Sequence, residues 1–254
     1  MKKRIVELVV LGLAVTGLVL GADVPASKAA AAITKFVPLS ASCFADSSIS
    51  NPNVCYDDTG WVTVQTLKIK TANKKDLAID TAFECGLVTF TGVSSKNGDG
   101  AVSLAAGRIR VRVRITDNTT GAVSFAEPTG SPLTNGAGIN YCSRLQALAA
   151  VFNGIDCHLD TTTDDVNDII CDNPEFVALL MRTIEASAFN FMAVNVGPGV
   201  KTIQVQARGE ALDAAFSFGP GGRGVAYSEA FVGAGSTLVE EVRLINSVDT
   251  VVLD

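Results

Sequence analysis

Histidine is almost missing from this chain: His158 stands alone in 254 residues. A multi-histidine metal centre is thereby excluded, and little is left for Ser-His-Asp or Cys-His catalysis. No G-x-S-x-G elbow supplies a nucleophile to go with it, so His158 reads as structural or merely exposed. Charge is scarce at 18% of residues and its balance is acidic, with a formal net charge of -6. The electrostatic footprint of a nucleic-acid binder is therefore absent. Aromatics make up 6%, and Trp61, the single tryptophan, lies in a strand pattern that suits a core better than a sugar platform. No C-x-x-C spacing occurs, which argues against a thioredoxin-like redox pair and a zinc knuckle.

What is present is apolar: 48% of residues, enough to drive folding and to set intrinsic disorder aside. Met1-Lys2-Lys3-Arg4 precedes an apolar run from Ile5 to Gly21, broken at Glu7, and small residues follow from Ala26 to Ala32. That is the layout of a signal peptide. The rival, an uncleaved anchor, needs about 20 apolar residues to span, and this run is at the short edge. Ala29-x-Ala31 and Ala30-x-Ala32 both fit cleavage, placing the boundary near Ala31, with 1–31 as leader. Cleavage there removes Lys2, Lys3, Arg4 and Lys28 against Glu7 and Asp23, taking the net charge from -6 to -8. No second long apolar run follows, so no stable membrane span is expected after cleavage. The destination is secreted, periplasmic or extracellular.

Cys43, Cys55, Cys85, Cys142, Cys157 and Cys171 all follow the leader. An even count in an exported chain reads as three disulfides. Loop closure favours near neighbours, hence Cys43 with Cys55 and Cys157 with Cys171, leaving Cys85 with Cys142 as the remainder. Residues 32–59 form an N-terminal disulfide segment, and 60–254 the main domain.

From Gly60 onward the pattern is that of strands. Trp61 to Lys70 alternates, Leu77 to Val93 is rich in β-branched and aromatic residues, and Val102 to Thr116 is the clearest strand. Asp117 to Gly121 turns it back into Ala122 to Ala126 as a hairpin. Between residues 139 and 187 the texture changes. A short helix is predicted from Cys142 to Phe152, and a second opens with Asn173 as cap and Pro174 in the first turn, with Phe176, Leu180 and Ile184 recurring every four residues. Strands return from Phe189 through Ile245. Strands joined by hairpins point to a mainly β fold, an antiparallel β-sandwich or jelly roll carrying a small helical, disulfide-tied insertion.

Four stretches, Lys70 to Leu77, Val196 to Val200, Ile203 to Arg208 and Val239 to Arg243, resemble a family of exported bacterial β-rich proteins of uncharacterised function. The resemblance implies secretion and a β-rich fold and brings no catalytic residues with it.

Two clusters carry chemistry. Arg108, Arg110, Arg112 and Arg114 alternate with Ile109, Val111, Val113 and Ile115, so the four guanidinium groups share one strand face about 20 Å long. Guanidinium forks match sulfate and phosphate oxygens, and the plain alternative is a solvent face paired with neighbouring carboxylates. Asp156, Asp160, Asp164, Asp165, Asp168 and Asp172 crowd a loop around His158. Asp160, Asp164 and Asp168 take calcium-loop positions, but Asp165 stands where the sharp-turn glycine belongs and Cys171 where the bidentate glutamate belongs. At most a weak calcium site is expected, against a solvated acidic loop, and no other cofactor. The sequon Asn118-Thr119-Thr120 is taken as chance.

Two function classes remain. The first is a non-catalytic binding or structural β module of the cell envelope or extracellular space, engaging an envelope polymer, another protein or itself as a homo-oligomer. The second is a secreted hydrolase using carboxylates, with or without calcium.

Overall fold

The computed structural model describes residues 28–33, 37–95, 98–129, 136–151, 157–159, 169–171 and 175–242. Thirteen strands and no helix are found among them: β1 Lys28–Ile33, β2 Val37–Asp46, β3 Asn53–Asp58, β4 Val62–Thr71, β5 Lys75–Ser95, β6 Gly100–Asp117, β7 Val123–Pro128, β8 Ile139–Val151, β9 Cys157–Leu159, β10 Ile169–Cys171, β11 Glu175–Val196, β12 Gly199–Ser217 and β13 Arg223–Val242. The chain is mainly antiparallel β structure with two disulfides.

Eleven strands share one sheet in the order β1-β13-β5-β11-β7-β6-β12-β3, with β2 also on β13, β4 also on β12 and β8 also on β6. Only β7 connects the two halves of that order: Val123 to Ala126 pair with β6, and Glu127 and Pro128 pair with Met192 and Phe191 of β11. The half holding β5 and β13 lies against the half holding β6, β8 and β12. Alternation explains why. Ile109, Val111, Val113 and Ile115 of β6 and Ile203 and Val205 of β12 turn inward, and they meet Leu77, Ile79, Phe83 and Leu87 of β5 in one buried cluster. Burying such side chains gives roughly 1.5–3 kcal/mol each relative to leaving them exposed.

The helical insertion over 139–187 is not found. Cys142 lies inside β8, which pairs with β6, and Phe176, Leu180 and Ile184 lie inside β11, which pairs with β5 over its whole length. The fourfold recurrence misled because this stretch of β11 is apolar on both faces, so the period-2 signal is missing. Hairpins are also rarer than the sequence suggests. Among the described residues, consecutive strands pair with each other only at β6–β7 and β9–β10. The steps β2 to β3, β4 to β5, β5 to β6, β11 to β12 and β12 to β13 each lead from one half to the other, while β1 and β2 both pair with β13 and β3 and β4 both pair with β12. The Asp117 to Gly121 turn does form as a hairpin: Asp117 Oδ1 accepts from the Thr119 and Thr120 amides, and the Gly121 amide donates to the Asp117 carbonyl at 2.8 Å.

Cys43–Cys55 and Cys85–Cys142 are bonded. Cys157 and Cys171 stand opposite each other in the β9–β10 backbone register, while their side chains lie outside the described ones. The acidic loop, Asp156, Asp160, Asp164, Asp165, Asp168 and Asp172, lies outside the described residues, as do residues 1–27 and Arg243.

Candidate functional site

The arginine row forms on the outward face of β6, as the alternation requires. Its neighbours come from β12: Arg114 stands opposite Gln204, Arg112 opposite Gln206, Arg110 opposite Arg208 and Arg108 opposite Glu210. A fifth guanidinium, Arg208, therefore joins the four. Strand register alone brings it there, and no spacing along the sequence signals it.

The two ends of the row differ. At the Arg108 end carboxylates take part: Arg108 pairs with Glu210, Arg208 with Asp58, and Arg208 Nε also lies 3.3 Å from Glu210. The Gly60 amide, ahead of Arg208, holds Asp58 below the usual carboxylate range. At the other end the acceptors are neutral. Arg112 Nε donates to Gln206 Oε1 at 2.8 Å and its Nη1 to the Gly136 carbonyl at 3.1 Å, while Arg114 Nη1 donates to Gln204 Oε1 at 2.9 Å.

Arg112 is the fixed member. Its guanidinium lies 4.2 Å from the Trp61 ring centre and 4.9 Å from that of Phe125, a cation held between two π faces. Trp61 thus precedes β4 and serves the outer face, where the sequence had suggested a core strand residue. Gly138, with φ of +74°, closes the clamp: a Cβ there would lie 2.5 Å from the Trp61 ring and 2.7 Å from the Val111 carbonyl. Burial, then the neighbouring Arg114 and Arg208 charges, push the Arg112 pKa down. Of these two neighbours, Arg208 is itself paired with Asp58 and Glu210, while Arg114 bonds the neutral Gln204.

Two open hollows adjoin the row. One, of about 460 Å³, lies among Arg108, Arg110, Thr129, Asn140 and Phe189. The other, of about 270 Å³, lies among Tyr56, Arg108, Arg144 and Glu210. Arg110 Nε is buried and meets no acceptor among the described residues. Such an arrangement can dock oxyanions against several guanidinium groups at once.

The other sequence candidates are not brought to this face. His158 falls in β9 by its backbone, and Asp160, Asp164 and Asp168 lie outside the described residues. Among the described residues no group of three or more His, Cys, Asp or Glu side chains is gathered as a metal cluster.

No family model matches the chain, and no curated protein does. Among solved structures, the chain aligns with a CocE/NonD family hydrolase from Staphylococcus aureus at 12% identity and a TM-score of 0.15, covering 84% of this chain and 37% of that one. It aligns with a structure of infectious bursal disease virus, Gx strain, at 10% identity and a TM-score of 0.15, covering 83% and 42%. The chain thus spans about two-fifths of the length of these solved chains, and likenesses so slight bear on neither fold nor function.

Proposed function

We propose that this protein is a non-catalytic, exported binding module, a two-layered β-sandwich whose cationic outer face docks an anionic polymer of the envelope or extracellular space. The observation that carries the reading is the charge environment of Arg112, a guanidinium fixed between two rings with Arg114 and Arg208 as its charged neighbours. In a chain of net charge -6, Arg112 and Arg114, whose acceptors are neutral, concentrate positive potential that the rest of the composition does not provide. The fork geometry favours sulfate, phosphate or carboxylate groups repeating along a chain over a single small ion. The two disulfides fit an oxidising compartment.

The test uses the two ends of the β6 row, Arg108 and Arg114. Arg108→Ser/Arg114→Ser should lose retention on a sulfated polysaccharide column at low salt, with a melting temperature close to wild type. Glu210 keeps Arg208 as partner in that variant. A wild-type protein that passes through unretained removes this reading, as does a double variant retained as strongly as wild type.

A further inference from the structure

From Phe176 to Ile184, β11 is paired on one side, to β5. Among the described residues its other edge meets a strand only at Phe191 and Met192, where β7 joins it. This stretch presents apolar side chains on both faces, the inner one partly met by β8, where Gln146 Nε2 donates to the Leu179 carbonyl at 2.6 Å and Arg144 donates to the Thr183 hydroxyl. Phe176, Leu180 and Ile184 are 57%, 52% and 62% exposed on the outer face, and Val177, Leu179 and Met181 are 43%, 44% and 41% exposed on the other. Edge strands are usually guarded by charge, proline, a bulge or brevity. Here there is one charge, Arg182, no proline, and an unbroken register with β5 from Glu175 to Ala193. The outer face continues across the sheet, since Leu180 stands beside Phe90, Phe90 beside Tyr227 and Tyr227 beside Phe44. The Phe176 ring covers Gly92, where a Cβ would lie 2.9 Å away, so the surface there is flat.

We propose that a second copy of this chain adds at this edge, two β11 strands pairing antiparallel about a two-fold axis at Leu179 so that the sheet runs on from copy to copy. An occupant must satisfy backbone N–H and C=O groups along the edge and also cover apolar side chains on both faces. A lipid surface or a flat partner covers one face; an added strand with its own sheet does all three. The segment is complementary to itself. About that axis Phe176 meets Arg182, Val177 meets Met181, and Ala178 meets Leu180, each pair on one face. The arginine lies against an aromatic ring and Thr183 stands opposite Glu175, so no like charges are juxtaposed. The six exposed side chains offer roughly 600 Å² of apolar surface, against about 800 Å² per partner in a standard interface, and the Phe90, Tyr227 and Phe44 row extends it. An isologous contact of this kind closes as a dimer.

The inference does not depend on the cationic face, which belongs to the β6 and β12 half. Sedimentation of the leader-free protein over roughly a hundredfold concentration range should show a monomer–dimer equilibrium. Leu180→Lys should shift it to monomer while leaving the melting temperature little changed. Leu179→Cys should oxidise to a covalent dimer, and Val123→Cys, exposed on β7, should not. A monomer at every concentration, a dimer that Leu180→Lys leaves intact, or a dimer in which Leu179→Cys fails to cross-link overturns the proposal. None of these results alters what polysaccharide retention would say.

Discussion

Asp213 stands opposite Ala105 in the β6–β12 register, beside a cluster of Ala45, Ala105, Ala215 and Ala226, and is fully buried. Neither of its oxygens has a hydrogen-bond partner of ordinary geometry among the described residues. Burial pushes its pKa up to about 6, and the polar neighbours Ser228 and the Ala106 amide offset this only in part. The folded chain therefore favours the protonated acid. Its contribution is fully present below the ordinary carboxylate value of 3.8 and is lost as pH rises toward about 6. Asp46 has the opposite sign: its Arg223 hydrogen bonds lower it to about 2, so that contribution is present above 3.8 and lost in stronger acid. For these two groups together, stability is greatest near 3.8. Asp213→Asn should flatten the loss between pH 4 and 7 and stabilise the protein at pH 8 by about 3 kcal/mol, an order-of-magnitude figure from the size of the shift. Denaturant unfolding at pH 4.5 and pH 8 checks it, and an Asn variant with the wild-type pH slope contradicts the assignment. None of this was legible in the sequence, because an aspartate in a β stretch carries no mark of the face it will occupy once small neighbours pack over it. The arginine row was legible, since alternation alone fixes which side it takes. Its clamp was not, because Trp61, Phe125 and Gly138 reach Arg112 only through the pairing of separate strands.

At the scale of elements, β6 and the turn at its end follow from local pattern, whereas β8 and β11 do not. A strand apolar on both faces has no period of two, and the Asn173-Pro174 pair that fits a helix start fits entry into a strand equally well. Connections were misjudged for a related reason: a short polar turn looks the same whether it makes a hairpin or leads a strand to the opposite half. The N-terminal element bears on processing. Lys28 to Ile33 pair residue by residue with Glu240 to Gly235, Lys28 bonds Glu240 at 2.7 Å, and Ala29 and Ala31 pack on the core. If a leader is removed, a boundary ahead of Lys28 would keep β1 whole, whereas the one expected near Ala31 falls within it. Mass spectrometry of the exported protein should find an N-terminus at or before Lys28. A chain beginning at Ala32 would contradict this.

For the whole molecule, the disulfides state the architecture most simply. Cys43 of β2 joins Cys55 of β3, and Cys85 of β5 joins Cys142 of β8. Each bond ties a strand of the β5–β13 half to one of the β6–β12 half, cross-linking halves that otherwise meet through side chains and through β7. Short loop closure pointed to the first bond; the second followed only as what remained. The cationic face and the apolar edge lie on different halves, so the two proposals can be tested separately. The arginine face is proposed to bind a polyanion chain. The most direct test is the salt dependence of binding between the leader-free protein and a sulfated oligosaccharide, measured by titration calorimetry for wild type and for Arg108→Ser/Arg114→Ser. Affinity should fall steeply with salt, because exposed charges are screened over about 8 Å at physiological ionic strength. The double variant should bind more weakly and with a shallower salt slope. No binding heat from the wild type at low salt, or identical slopes for the two proteins, would contradict the claim.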